Sequence, residues 1–294
     1  MKKNYKVIVD AKYGYRRLDP IPDKETSESF YKKQYYEKVK KGNGFPEQRR
    51  IMDGGEEAEK EREWFKSTIY SDIETILKKF TDKLSVMDVG CGTGELIAYL
   101  KTKGFDVTGI EPSLMATNIA NPEITIYNMT LAEYLKKETF EKFGIVLLMN
   151  ILEHTPYPEA ILLDTQKLLL PNGVICISVP NDFNILQLQA QKEIKKPQWW
   201  VAPPDHVNYF NFESLYAFME KLGYEVIYSQ SSYPMEFFLL QGDDYVYNPT
   251  IGNICHQKRR KLELSMPAYI RRQLYQAYAN IGIGRDCFVF GRLK

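Results

Sequence analysis

Cysteine and histidine are scarce in this 294-residue chain, at four and three residues. Cys91, Cys176, Cys255 and Cys287 form no C-x-x-C pair. That argues against a disulfide frame or a thiolate zinc site, and for reduced thiols in a cytoplasmic protein. An excess of one charge is missing too: 39 basic residues face 38 acidic ones, for a net charge of +1. Such a balance gives no general attraction to nucleic acid or to an anionic membrane surface. Local basic clusters, Arg49-Arg50 and Lys258-Arg259-Arg260-Lys261, are expected to be solvated helix faces flanked by acids. No apolar run approaches the ~20 residues that span a bilayer. The first ten residues have a basic start but too short an apolar run for a secretory signal. No internal repeat is present.

What the chain does have is enough apolar matter for a sizeable core, 44% hydrophobic and 13% aromatic, in one large or two small domains. Residues 1–54 are rich in Tyr, Lys and Pro and end in Asp53-Gly54-Gly55. We expect an extended N-terminal arm there, with one short helix near 27–39. An arm of this kind could embrace a second subunit, which leaves a homodimer open. Phe65, Ile69, Ile73, Ile76, Leu77 and Phe80 then recur at helical spacing.

From residue 85 strands and helices alternate. Strands are expected at 85–89, 106–111, 124–127, 144–149, 174–179 and 225–229. Helices are expected at 95–102, after Pro112, near 131–136, from Pro158 and at 212–222, the last opened by Asn211 and stopped by Gly223. A further strand, 287–290, closes the chain behind a helix marked by Ile270, Leu274, Ala277, Tyr278 and Ile281. This alternation predicts an α/β fold with a mainly parallel sheet covered on both faces. Two stretches exceed a minimal alternating core, 181–211 and 233–283. Long insertions at the carboxyl edge of such a sheet commonly carry function.

The most informative segment is Val86-Met87-Asp88-Val89-Gly90-Cys91-Gly92-Thr93-Gly94-Glu95. A strand ends in Asp, breaks into three alternate glycines and passes straight into a helix. That is the first unit of a nucleotide-binding sheet, with glycines where a Cβ would collide with ligand or backbone. About twenty residues on, the second strand ends in Glu111, placed to accept hydrogen bonds from a ribose diol. Cys91 reads as a small residue of the turn rather than a nucleophile, since no basic partner is evident nearby.

Together with four further marks, this segment resembles the class I S-adenosylmethionine-dependent methyltransferases, over roughly residues 64–229. The marks are Gly109-Ile110-Glu111-Pro112-Ser113; Met149-Asn150-Ile151-Leu152-Glu153-His154; Leu169-Leu170-Pro171-Asn172-Gly173-Val174 leading to Pro180-Asn181; and Asp205-His206-Val207-Asn208-Tyr209-Phe210. The likeness is to small-molecule O-methyltransferases of the ubiquinone-biosynthesis type and their relatives in sugar and polysaccharide pathways. It implies a Rossmann-like seven-stranded sheet whose last strand is antiparallel, here a methyltransferase domain over 55–294. It implies S-adenosylmethionine as cofactor. Gly90, Cys91 and Gly92 would then face its amino-acid portion and Glu111 would hold its ribose hydroxyls, with Asp88 and Pro112 also counted as cofactor-binding. Met149 and Asn150 would line its sulfonium side. Many relatives have an acidic residue after the third strand, near the adenine; this chain has Asn128 as the substitute acceptor.

Methyl transfer to a hydroxyl needs alignment, exclusion of water and removal of one proton. His154, at the carboxyl edge of the sheet, and His206, in the first insertion, are the candidate bases, with Glu153 or Asp205 to orient an imidazole. His256 is a weaker candidate. Glu153 with two histidines lacks the spacing of a metal motif, so no metal is expected. Trp199-Trp200 can roof an acceptor or anchor the insertion to the core, and anchoring is the reading favoured here. Phe237-Phe238-Leu239-Leu240 followed by Gly242-Asp243-Asp244-Tyr245 is another candidate acceptor wall, though a solvated turn at the paired Asp residues is the safer reading. The expected activity is methylation of a hydroxyl on a sugar, nucleotide-sugar or quinone-like compound. The alternatives are a nucleic-acid or protein methyltransferase and an NAD-dependent oxidoreductase; balanced charge and G-x-G-x-G spacing weigh against them.

Overall fold

The computed structural model describes residues 5–22 and 46–294. Its centre is a seven-stranded sheet in the order β5-β4-β3-β6-β7-β10-β9. The strands are β3 (Ser85–Val89), β4 (Asp106–Ile110), β5 (Thr125–Tyr127), β6 (Phe143–Met149), β7 (Leu169–Pro180), β9 (Tyr224–Gln230) and β10 (Asp286–Leu293). Pairings from β5 through β7 are parallel, whereas β10 runs antiparallel to both β7 and β9. The sequence expectation of a mainly parallel sheet with an antiparallel last strand is met. β6, Phe-Gly-Ile-Val-Leu-Leu-Met, is buried at all but its final residue. Such a run suits a central parallel strand covered on both faces.

The chain first builds outward, β3 to β4 to β5, and then returns to place β6 on the other side of β3. Strand order therefore reverses between β3 and β6, and a crevice opens beyond their carboxyl ends. One face of the sheet is covered by α3 (Ser71–Phe80) and α4 (Glu95–Thr102), through Ile73, Ile76, Leu77, Leu96, Ile97 and Leu100. The other is covered by α7 (Pro158–Leu168) and α9 (Phe212–Lys221), through Leu162, Leu168, Leu215 and Phe218. Short helices α5 (Leu114–Ile119) and α6 (Leu131–Tyr134) join the strands, and a capping box at Thr130 and Glu133 opens the second.

Ahead of the sheet, the periodic stretch around residues 65–80 is not one regular helix. α1 (Pro46–Asp53) and α2 (Gly55–Phe65) lead into a π-helical turn, Lys66–Tyr70, before α3. The Thr68 hydroxyl donates back to the Trp64 carbonyl, and Arg271 donates to the Ser67 carbonyl at 3.0 Å. These side chains compete for carbonyls of the regular ladder.

The arm expected over 1–54 is not extended throughout. β1 (Lys6–Val9) and β2 (Arg16–Asp19) form an antiparallel hairpin, and β2 pairs with β8 (Asn208–Tyr209) of the first insertion. The hairpin has an apolar reason to dock: Leu18 is fully buried beside Phe183, Trp200 and Tyr209, while Tyr13 and Tyr15 pack on Phe218. The helix expected near 27–39 lies outside the described residues. The first insertion also contains α8 (Ile185–Ile194), and the second contains α10 (Glu236–Leu240), α11 (Pro249–Ser265) and α12 (Ala268–Asn280). Among the described residues no helix is long and apolar enough to cross a membrane.

Candidate active site

A cavity of about 1310 Å³ occupies the crevice beyond β3 and β6. Its floor is the glycine turn. Gly90, Gly92 and Gly94 all have positive φ, at 72°, 58° and 76°, a region that side chains resist. A Cβ on Gly90 would stand 2.3 Å from Ile151 Cδ1. The Gly90 and Cys91 amides both donate to the Ile110 carbonyl, at 2.7 and 3.1 Å, which ties the turn to the end of β4. Gly109 permits this approach, since a Cβ there would lie 2.5 Å from Cys91 Sγ. Burial, with Asp88 and Glu111 nearby, pushes the Cys91 thiol up, so it stays protonated. That agrees with its reading as a small turn residue.

Two carboxyls flank the turn. Glu111 accepts from the Gly92 amide at 3.0 Å and from the Ser113 amide at 2.8 Å, one to each oxygen. Its carboxylate is thereby aimed from β4 towards β3, and burial raises its pKa. Asp88 is 3% exposed, and its Oδ1 has no hydrogen-bond partner among the described residues. Burial and the Glu111 charge push it up to about 7. An unpaired buried carboxyl is costly, and a cationic or donor group placed beside it would relieve that cost. Pro112 and Met149 also line the cavity. So does Asn150, which sits at φ 58°, a strained conformation of a kind that clusters at functional sites. Asn128 is not among the cavity-lining residues; its side-chain amide donates to the Glu111 carbonyl at 2.9 Å.

Above the floor the structure brings His154, His206 and Glu153 together. The rings of His154 and His206 meet edge to face, with centroids 4.8 Å apart. The Glu153 backbone carbonyl accepts from the Val207 and Asn208 amides, and the Asn208 side chain bonds the Leu152 and Thr155 carbonyls. These bonds join the first insertion to the segment after β6. His154 Nδ1 lies 3.0 Å from the Asp205 carbonyl. A carbonyl only accepts, so Nδ1 carries the proton and Nε2 is the acceptor side. Burial lowers His154 to about 3, with His206 contributing, and lowers His206 to about 4. Both rings are therefore neutral at neutral pH. Glu153 is 1% exposed, and neither oxygen has a hydrogen-bond partner among the described residues; His154 Nε2 stands 3.7 Å away. Burial holds this carboxyl well above its ordinary value.

The two insertions make the remaining walls. Trp200 is buried against Phe183 and Tyr209, which is the expected anchor, yet Trp199 and Trp200 both line the cavity as well. Of the wall expected over 237–245, only Tyr245 lines the cavity. Asp243 pairs with Lys258 and Asp244 with Lys196, outside the cavity, and Met235 and Glu236 join Tyr245 in its lining. His256 bonds Glu61 at 3.0 Å and packs edge-on to Trp64, away from the cavity. The basic cluster at 258–261 is only partly solvated: Arg259 is 3% exposed, pairs with Glu263 and faces the cavity. Asp182, Glu236 and Arg285 line the cavity and have no local motif that would reveal them. Among the described residues no three His, Cys, Asp or Glu gather to hold a metal ion.

With this geometry in view, a family model described as a methyltransferase domain matches residues 59–229. The chain belongs to this methyltransferase family. Its sheet is the class I S-adenosylmethionine-dependent methyltransferase fold. The chain is 36% identical over 106 residues to a ubiquinone biosynthesis O-methyltransferase of Histophilus somni, covering 33% of this chain and 44% of that protein. It is 32% identical over 129 residues to the protein of that name in Caulobacter vibrioides, covering 42% and 51%. The chain thus spans about half the length of the curated relatives it matches. Among solved structures, a plantazolicin methyltransferase in complex with a desmethyl analogue and S-adenosylhomocysteine is similar with TM-score 0.51 and 16% identity, over 90% of this chain and 93% of that one. Magnesium protoporphyrin IX methyltransferase from Synechocystis follows with TM-score 0.50 and 16% identity, over 70% and 92%. At such identities the likeness is one of fold.

Proposed function

We propose that this chain transfers a methyl group from S-adenosylmethionine to a hydroxyl of a small acceptor, the sugar, nucleotide-sugar or quinone-like class expected from the sequence. The observation that carries the reading is the unpartnered Asp88 carboxyl beside a left-handed glycine turn, at the point where strand order reverses. The residues present suit the cofactor. Gly90, Cys91 and Gly92 offer close backbone approach for its amino-acid end, and Asp88 accepts from the amino group. Glu111, already oriented by two amides, keeps lone pairs for the ribose hydroxyls, beside Pro112. Asn128 braces Glu111 through its backbone carbonyl and stands near the adenine end. Met149 and Asn150 line the side that faces the acceptor. Bound there, the cofactor supplies an electrophilic methyl group.

The work left to the protein is alignment and proton removal. His206 takes the hydroxyl proton: it is neutral at neutral pH, and its Nδ1 is buried without a hydrogen-bond partner among the described residues. His154, held by the Asp205 carbonyl, packs edge-on against that ring and fixes it. Glu153, held by burial well above its ordinary value, stands 3.7 Å from His154 Nε2.

Calorimetric titration tests the first half. Binding of S-adenosylmethionine and S-adenosylhomocysteine is expected, with a loss of about 1–3 kcal/mol in Glu111→Ala and no heat with NAD. Absence of heat with both ligands on folded protein rejects the reading. Kinetics test the second half. His206→Ala is expected to lower kcat about 10²–10⁴-fold while leaving S-adenosylhomocysteine affinity unchanged. Turnover that survives in His206→Ala but vanishes in His154→Ala moves the base to the latter.

A further inference from the structure

The cavity contains more carboxyl groups than methyl transfer requires. Glu153 comes from the turn after β6, Asp182 from the start of the first insertion and Glu236 from the start of α10 in the second. They are 1%, 4% and 4% exposed, and all line the cavity. Both oxygens of Glu153, Oδ2 of Asp182 and Oε2 of Glu236 have no hydrogen-bond partner among the described residues. The groups feel one another: Asp182 raises Glu153, and Glu236 raises Asp182. Burial is the main cause in each case: it pushes Asp182 up to about 8, holds Glu153 well above its ordinary value and raises Glu236. Beside them Arg285 is exposed and lines the cavity; Glu47 and Asp286 are the opposing charges nearby, and no hydrogen bond or close ion pair engages its guanidinium among the described residues. Trp199, Trp200 and Tyr245 supply flat apolar surface on the same walls.

A buried carboxyl left unpaired is costly to the fold, and a flat hydroxyaromatic ring with an apolar tail could not satisfy three of them. A pyranose could, since each carboxyl accepts from a hydroxyl and, where it holds a proton, donates to another, while the C–H faces of the ring rest on aromatic rings. We propose that the acceptor is a hydroxyl-rich sugar ring, free or carrying a phosphate, whose hydroxyls bond Glu153, Asp182 and Glu236. The phosphate, where present, falls to Arg285, whose planar fork suits it. This inference rests on the methyl-transfer reading for the identity of the reaction, and on the orphaned carboxyls for the class of acceptor.

The test uses the full chain with four probes: D-glucose, glucose 1-phosphate, UDP-glucose and 3,4-dihydroxybenzoate. Each is added to protein saturated with S-adenosylhomocysteine for thermal unfolding, and to protein with methyl-labelled S-adenosylmethionine for transfer. At least one sugar probe is expected to raise the Tm beyond S-adenosylhomocysteine alone and to take up label, and the dihydroxybenzoate to do neither. The difference between D-glucose and the two phosphorylated probes reads the Arg285 contribution. Label in the dihydroxybenzoate, or no Tm shift from any sugar, overturns the proposal. Failure of S-adenosylhomocysteine itself to bind would sink the methyl-transfer reading instead, and sugar shifts measured without it would still judge the acceptor class. Glu236→Leu separates ligand binding from a structural role. It is expected to raise the Tm of the free protein, to weaken the sugar about tenfold or more and to leave S-adenosylhomocysteine affinity unchanged. A lowered Tm with unchanged sugar affinity counts against the proposal.

Discussion

Asp88 carries the sharpest consequence of a single residue. Its free-protein pKa near 7 reflects burial and the neighbouring Glu111, with nothing on Oδ1 to offset them. An ammonium group bound there favours the ionised form and pulls the pKa down. Ligand binding then releases a proton wherever the free carboxyl is protonated. S-adenosylhomocysteine affinity is therefore expected to be flat above about pH 7 and to fall about tenfold per pH unit below it. Calorimetry across pH 5.5–8 checks this, and Asp88→Asn is expected to bind more weakly and to flatten the profile. A wild-type profile already flat across that range would remove Asp88 from the site. Asp88, the glycines and Glu111 were legible in the sequence because their chemistry is local: an acid at a strand end, side chains absent where the backbone turns left-handed, an acid at the next strand end. Asp182, Glu236 and Arg285 were not, because they belong to three segments that meet only after the sheet has formed. Asp243 and Asp244 looked as suitable on paper, but lysines on neighbouring elements engage them.

At the scale of elements, a buried polar network clamps the helices ahead of the sheet to the second insertion. Arg271 on α12 donates to both oxygens of Asp72 on α3, at 2.9 and 3.1 Å, and to the Ser67 carbonyl in the π turn. Glu263 on α11 accepts from Trp64 Nε1 at 2.7 Å and from the Tyr275 hydroxyl. Arg271 and Asp72 are 2% and 1% exposed. Removing Arg271 leaves the buried Asp72 only Arg272, which donates to its Oδ1 at 3.2 Å, so Arg271→Ala is expected to cost up to about 3–5 kcal/mol, read as a lower urea midpoint. Arg271→Met combined with Asp72→Leu removes both charges and is expected to recover most of that loss. A single variant within about 1 kcal/mol of the parent would mean the pair is solvated. This network explains why apolar spacing at 65–80 announced a helix but not its interruption: the residue that engages the Ser67 carbonyl is Arg271, far away in the chain. Strands β3 to β7 and helix α9 were legible because apolar runs, Asn211 and Gly223 mark them from within. The β1–β2 hairpin was not, since its partner strand, β8, is two residues long and lies in an insertion.

For the whole molecule, the candidate site imposes a stability cost that depends on pH. Five of its carboxyls have folded pKa values above the unfolded ones: Asp88 at about 7, Asp182 at about 8, Glu153 well above its ordinary value, and Glu111 and Glu236 raised by burial. A raised carboxyl contributes stability that is fully present below its unfolded pKa and is lost as pH rises through the folded value. His154 and His206 work in the opposite sense. Their folded values of about 3 and about 4 mean that stability is lost as pH falls below the unfolded value near 6.5. Between about pH 7.5 and 8 His154 and His206 are largely neutral in the unfolded chain as well, and the carboxyls dominate the slope. The folded protein there holds more protons than the unfolded chain, so stability is expected to fall by about 1.4 kcal/mol per pH unit for each extra proton. Thermal unfolding of the ligand-free protein across this range should show a declining Tm. Saturating S-adenosylmethionine should flatten the part that belongs to Asp88 and leave the part that belongs to Asp182, which only an acceptor relieves. A Tm that rises with pH over the same interval would mean that these carboxyls are already ionised and paired, and would remove the electrostatic basis for both halves of the site.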